Sequence, residues 1–267
     1  MFDWNMKAPC MLKTCMLKTS LLSLLCVGFI ATGVSAEEKE FRCDSEVFVG
    51  AEKKPVQSSL TIFANPMVYD FLQGTTEEVT VYDFGRGQIT LLNPQRKQRV
   101  TVATDDLLRV SAAYKTMKAE TDLFAFCMQP AFDEEFANDT LTLTSKYLTY
   151  HTSCSKPKQP GADKVYREFA DWSSRLNAFR PGNLPPFARL EMNKSLAARD
   201  RLPIKIDRTT TLTHGVRTRQ ETIRSEHIFS WTLSVEDRRR IERAGSYMAD
   251  FAPVSVESYF DLETAVK

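Results

Sequence analysis

Histidine is scarce in this chain, with only His151, His214 and His227 among 267 residues. None stands at metal-ligand spacing from a cysteine or another histidine except His151, three before Cys154, and residues three apart in a strand point to opposite faces. There is no GxSxG elbow, no paired-cysteine motif and no phosphate-cradling glycine-rich loop with its lysine. A charge surplus is missing too: the formal net charge is +1, and Lys7, Lys13 and Lys18 against Asp3 account for +2, leaving Glu37 to Lys267 at −1. A near-neutral body excludes a general nucleic-acid binder, whose affinity comes from phosphate neutralisation. Cysteines are few beyond the N-terminal segment, where Cys10, Cys15 and Cys26 lie. Of the remaining three, Cys43 and Cys127 sit in apolar settings that suit buried thiols, and Cys127 with Cys154 is the preferred disulfide if one forms. No repeat or low-complexity tract breaks the chain. Its 43% hydrophobic and 26% charged composition is that of an ordinary folded protein.

The first 36 residues read as an export signal. Lys7, Lys13 and Lys18 form a positive start, Leu21 to Ala31 an apolar stretch, and Val34-Ser35-Ala36 a small-x-small cleavage site. An uncleaved anchor is the alternative, since residues 19–36 carry no charge. Cleavage would leave residues 37–267 as one domain with no transmembrane segment, in the periplasm or outside the cell.

Residues 77–102 organise the rest of the chain. Val79, Val81, Ile89, Leu91, Val100 and Val102 recur at every second position in three runs, separated by Phe84-Gly85-Arg86-Gly87 and Asn93-Pro94-Gln95-Arg96-Lys97. Period two between turns predicts an antiparallel meander with one buried face. Gly85 in that turn also explains Asp83-Phe84-Gly85, which matches a kinase tripeptide without any of its companion motifs. Residues 41–50 form an earlier strand, and residues 58–71 a second, interrupted at Pro66, with Phe63, Met67, Tyr69 and Phe71 on one side. Thr104 caps a first helix ahead of Asp105 and Asp106. Residues 120–136 are helix or buried loop, and residues 139–154 return to strand. A helical insert at about 163–200 carries an apolar stripe of Val165, Phe169, Trp172, Leu176 and Phe179. Residues 204–233 make a long hairpin, with His227, Phe229, Trp231 and Leu233 on one face. Ser234 and Asp237 cap a last helix with the stripe Ile241, Ala244, Met248 and Phe251.

This order predicts an α+β protein: a strongly curved antiparallel sheet, an incomplete barrel, with helices on its concave side. An export signal, strands leading into the hairpin VYDFGRGQITLLNPQRKQ, a helix opened by TDDLL, and later hairpins together resemble the periplasmic lipoprotein-carrier family of outer-membrane lipoprotein sorting. The resemblance implies an incomplete barrel wrapped around helices that shelters the acyl chains of a lipid or lipoprotein. It covers about residues 41–233; the insert and the C-terminal helix depart from it, and no ligand-binding residue carries over.

Independently, a sheet that curves without closing either packs its helices completely or leaves an apolar cavity. Phe63, Met67, Tyr69, Phe71, Tyr82, Phe84, Phe229 and Trp231 are the candidate lining, or else plain core. Arg217 and Arg219 share a strand face that suits an anionic envelope polymer; interleaved Glu221, Glu226, Glu236, Asp237 and Glu242 make an ordinary salt-bridged surface the alternative. Adjacent Asp133, Glu134 and Glu135 read as solvated surface. No catalytic motif, metal site or cofactor is expected. The functional expectation is a non-enzymatic carrier of a lipid, acyl chain or lipoprotein in the cell envelope; the alternative is a structural or interaction protein with a filled core.

Overall fold

Six strands run consecutively from Phe41: β1 (Phe41–Val49), β2 (Gln57–Ala64), β3 (Met67–Gln73), β4 (Glu78–Asp83), β5 (Gln88–Asn93) and β6 (Gln98–Ala103). Each pairs with the next antiparallel, because short connections leave a strand no other neighbour to reach. The structure, a computed structural model, describes residues 40–74, 77–180, 182–214 and 217–260. The expected export signal lies outside the described residues.

After β6 come α1 (Thr104–Tyr114) and α2 (Asp122–Met128), then a second meander of β7 (Asp133–Ala137), β8 (Thr140–Thr144) and β9 (Leu148–Ser155). The insert supplies α3 (Ala162–Phe179) and α4 (Phe187–Ala197), after which β10 (Leu202–His214) and β11 (Arg217–Ser230) form the long hairpin. The chain closes with α5 (Val235–Asp250), the two-residue β12 (Ala252–Pro253) and α6 (Val256–Tyr259). One twelve-stranded sheet results, ordered β12-β6-β5-β4-β3-β2-β1-β11-β10-β9-β8-β7. The N-terminal and C-terminal meanders are joined where β1 pairs with β11; among the described residues only β12 beside β6 is parallel. The sheet is open, so the fold is α+β with a mostly antiparallel sheet. No helix among the described residues is long and apolar enough to cross a membrane.

The faces of the sheet sort differently from the expected pattern. Asn65 and Pro66 turn β2 directly into β3, and Phe63 pairs with Val68. Directly paired residues share a face, so Phe63 and Val68 lie on one side while Met67, Tyr69 and Phe71 lie on the other. The single strand interrupted at Pro66 is therefore a hairpin, and Phe63 is not on the side of the other three. In the meander, Tyr82 pairs with Ile89, and Val79 with Leu92. Ile89, Leu91, Val100 and Val102 join the cluster that holds Leu107 of α1 and the buried residues of α3, whereas Val79, Val81 and Leu92 face α5. Both faces are buried there, because α5 covers the second with Ile241, Ala244 and Met248, and Phe251 just after it adds its ring. Helices thus pack on both faces, not on one.

Local signals explain the helix boundaries. Ser234 and Asp237 form a complete capping box at α5. The arginines of its early turns find carboxylates: Arg238 reaches Glu40 at 2.7 Å, and Glu236 gathers Arg239, Arg240 and Arg243. Thr104 is not a cap; its hydroxyl donates to the Gly87 carbonyl and Ala103 takes the cap position. On α3, Tyr166, Ala170 and Leu176 are buried, while Phe169, Trp172 and Phe179 are partly so. Val165 stands out in solvent, a departure from the expected stripe. Cys127 and Cys154 are free thiols within the cluster beneath α4, so the preferred disulfide is not formed. Cys154 Sγ instead donates to the Asp139 carbonyl at 3.1 Å.

Candidate functional site, a polar cavity under α3 and α4

Strand positions that face α3 and α4 alternate with apolar ones, yet several carry hydroxyls or charge: Ser45, Ser59, Thr61, Asp70, Thr80, Arg208, Ser225 and His227. Several of these side chains hydrogen-bond one another along the sheet, and the helices stand off from them. The result is a cavity of about 600 Å³. Its other wall is made by Tyr166, Phe169, Ala170, Ser173, Ser174 and Asn177 of α3, by residues 182–186, and by Ala188 and Arg189 of α4. Leu72, Leu148, Leu176 and Leu184 give it apolar patches between the polar groups.

Acidic groups gather over β3 and β4. Glu78 accepts from Arg180 at 2.6 Å and from the Tyr259 hydroxyl at 3.3 Å. Asp70 accepts from the Thr61 hydroxyl at 2.8 Å, and desolvation, with Glu78 nearby, pushes its carboxyl up to about 6 despite that bond. Burial likewise raises the Tyr82, Tyr150 and Tyr166 phenols above their usual range, so each stays protonated and can donate a hydrogen bond.

In the middle, His227 Nδ1 lies 2.8 Å from Ser45 Oγ, and its Nε2 lies 3.2 Å from Ser225 Oγ. That has the spacing of a nucleophile and its base. The chemistry is poor, however. Burial first, then Arg189, pushes the imidazole down to about 3, and its far nitrogen meets a hydroxyl where an orienting carboxylate would stand. A base so weak takes almost no proton from serine at neutral pH. His227 is a neutral hydrogen-bonding wall residue.

Basic groups occupy the α4 end. Arg189 Nε donates to Asn193 Oδ1 at 3.1 Å, and Asn193 is held in turn by Asp171 at 2.8 Å. Arg208 is in register with Tyr150 on the neighbouring strand. Its Nε is shut off from solvent without a hydrogen-bond partner.

No protein-family model and no curated protein matches this chain. The site therefore stands on its own geometry.

Of the eight residues expected to line an apolar cavity, Tyr82 and Phe169's other ring partner, Phe63, part company: Tyr82 borders this cavity and Phe63 does not. Phe63, Phe84, Phe229 and Trp231 belong to the adjoining core, where Phe41 stacks on Phe63 at 4.1 Å and on Trp231 at 5.6 Å. Met67, Tyr69 and Phe71 lie on the far face under α5. Arg219 pairs with Glu221 at 3.0 Å on the surface, and the Arg217 side chain lies outside the described residues. Glu134, expected to be merely solvated, accepts from Ser195 and Arg199. Sequence patterning does not single out Asp70, Arg189 or Arg208. Their signal is polarity on the strand phase that faces the insert, readable only once each hairpin's register is known.

Proposed function

We propose that this chain is a non-enzymatic binding protein of the cell envelope, exported by its N-terminal segment, that holds a small amphiphilic ligand in the cavity under α3 and α4. The cavity carries the reading: its size is that of a small-molecule site, and converging hydroxyls and charges on apolar walls are what orient a ligand. A purely structural protein has no use for so many polar groups facing inward. The wall chemistry moves the expected ligand from a bare acyl chain to a molecule that also carries polar groups, with its apolar part against Phe169, Leu148 and Leu176.

The reading takes the sheet to be an incomplete barrel curved around α3. Asp70 on β3 and Tyr150 on β9 border the same cavity, although five strand spacings separate their strands, about 24 Å on a flat sheet. Curvature brings both within reach of one ligand.

Native mass spectrometry tests this. Purified protein is mixed with a whole-envelope small-molecule and lipid extract, desalted and sprayed intact. A discrete non-covalent adduct is expected on the wild type and not on Ser174→Phe, which places a ring in the cavity. Bare protein alone in both samples refutes the reading.

A further inference from the structure

The charges around the cavity are not evenly spread. Over β3 and β4, Glu78 has Arg180 as its counter-ion. At the opposite end, Arg189 and Arg208 both line the cavity, and among the described residues neither forms an ion pair. Arg189 spends only its Nε, on an amide oxygen, which leaves both terminal nitrogens uncommitted. The Arg208 side chain has no hydrogen bond to any described residue, and its Nε has lost solvent as well.

Two guanidiniums on one wall without a counter-charge repel each other, a cost that an oxyanion between them would offset. Both share the cavity wall with Tyr150, Arg208 from the register position beside it on the neighbouring strand and Arg189 from α4. A third source of positive potential points there as well. The start of α4 lines the same end through Pro185, Pro186 and Ala188, has no side-chain cap, and carries no acidic residue in its first turn. An eleven-residue helix with its N-terminus open attracts anions.

Resting on the binding function proposed above, we infer that the end of the cavity formed by Arg189, Arg208 and the start of α4 is a subsite for an oxyanion of the ligand, a phosphate or carboxylate. Planar guanidiniums can each offer two parallel N–H donors to such a group, and the protonated Tyr150 hydroxyl adds a third kind of donor. The neutral hydroxyls of Ser45, Ser225 and Thr61 continue the wall toward Asp70 and suit the uncharged part of the ligand.

Calorimetric titration at pH 7 with matched probes tests the subsite. Glucose 6-phosphate against glucose represents a free ligand, and lysophosphatidic acid against monoacylglycerol, below their micelle concentrations, a lipid headgroup. The phosphorylated member of at least one pair should bind tenfold or more tightly than its neutral partner, and the pair that shows this identifies the source. Arg208→Gln and Arg189→Gln should each erase most of that difference. Circular dichroism and melting confirm that each variant is folded. Equal binding of both members overturns the oxyanion subsite and leaves the binding function standing. An anion preference that survives both substitutions places the anion elsewhere and also overturns it. Binding of neither pair, together with no adduct from the extract, removes both ideas.

Discussion

Asp70 should make the protein less stable at neutral pH than a neutral residue of the same shape would. Its carboxyl is raised from 3.8 to about 6, chiefly by desolvation. For an acid raised on folding, the native state binds the extra proton, so stability falls as pH rises from 3.8 to 6 and stays lower above that. The shift of about two units corresponds to about 3 kcal/mol at pH 7. Asp70→Asn removes the charge and keeps an oxygen for the Thr61 hydroxyl, which lies 2.8 Å away. The variant should therefore gain up to about 3 kcal/mol at pH 7, roughly 6 to 12 °C in melting temperature for a chain of this size, and nothing at about pH 3.5. His227 behaves with the opposite slope. Its imidazole is lowered from 6.5 to about 3, so the unfolded chain takes up its proton first and stability falls as pH drops through that window. Between about pH 4 and 6 the two slopes cancel in the wild type, and each single variant exposes the other. Urea unfolding followed by tryptophan fluorescence, at pH values spaced from acid to mildly alkaline, measures this. An Asp70→Asn gain that is absent at neutral pH, or unchanged across pH, refutes the desolvated-carboxylate argument.

Other substitutions test the packing and the thiols. Phe169 meets the rings of Phe63 and Tyr82 edge-on at 5.5 and 5.2 Å, so Phe169→Ala should cost about 3 kcal/mol in chemical denaturation. Ser234→Ala breaks the capping box of α5 and should cost about 1 kcal/mol by the same assay. Burial pushes Cys43 up to about 12 and Cys127 up to about 11, and raises Cys154 as well. In protein lacking residues 1–36, Ellman's reagent at mildly alkaline pH should find no fast thiol in the native state and all three after unfolding.

The elements themselves are largely legible in the sequence. Alternating valines and turn residues locate β4, β5 and β6, and Ser234 with Asp237 marks the start of α5. Register is not legible. Whether Phe63 shares a face with Tyr69 depends on Asn65 and Pro66 forming a two-residue turn instead of a bulge, and one residue of slip reverses every side chain. The same ambiguity hides the cavity. Asp70 and Arg208 are ordinary charges until pairing with Thr61 and Tyr150 puts them on the face beneath α3 and α4. β12 and α6 leave no trace in the pattern because two and four residues are too few to carry a period. The hydrophobic rings are legible as buried but not as core rather than lining, since burial against Phe41 and burial against a ligand leave the same pattern.

The central claim is that a polar, ligand-sized space stands between the sheet and α3 with α4. A high-resolution crystal structure of the natively expressed protein measures this most directly. Continuous density from a bound molecule in the cavity, or a cluster of ordered waters bridging Asp70, His227 and Arg208, is the predicted result. Side chains of α3 and α4 packed directly onto Thr80, Ser45 and Tyr150, with no space between them, would contradict it.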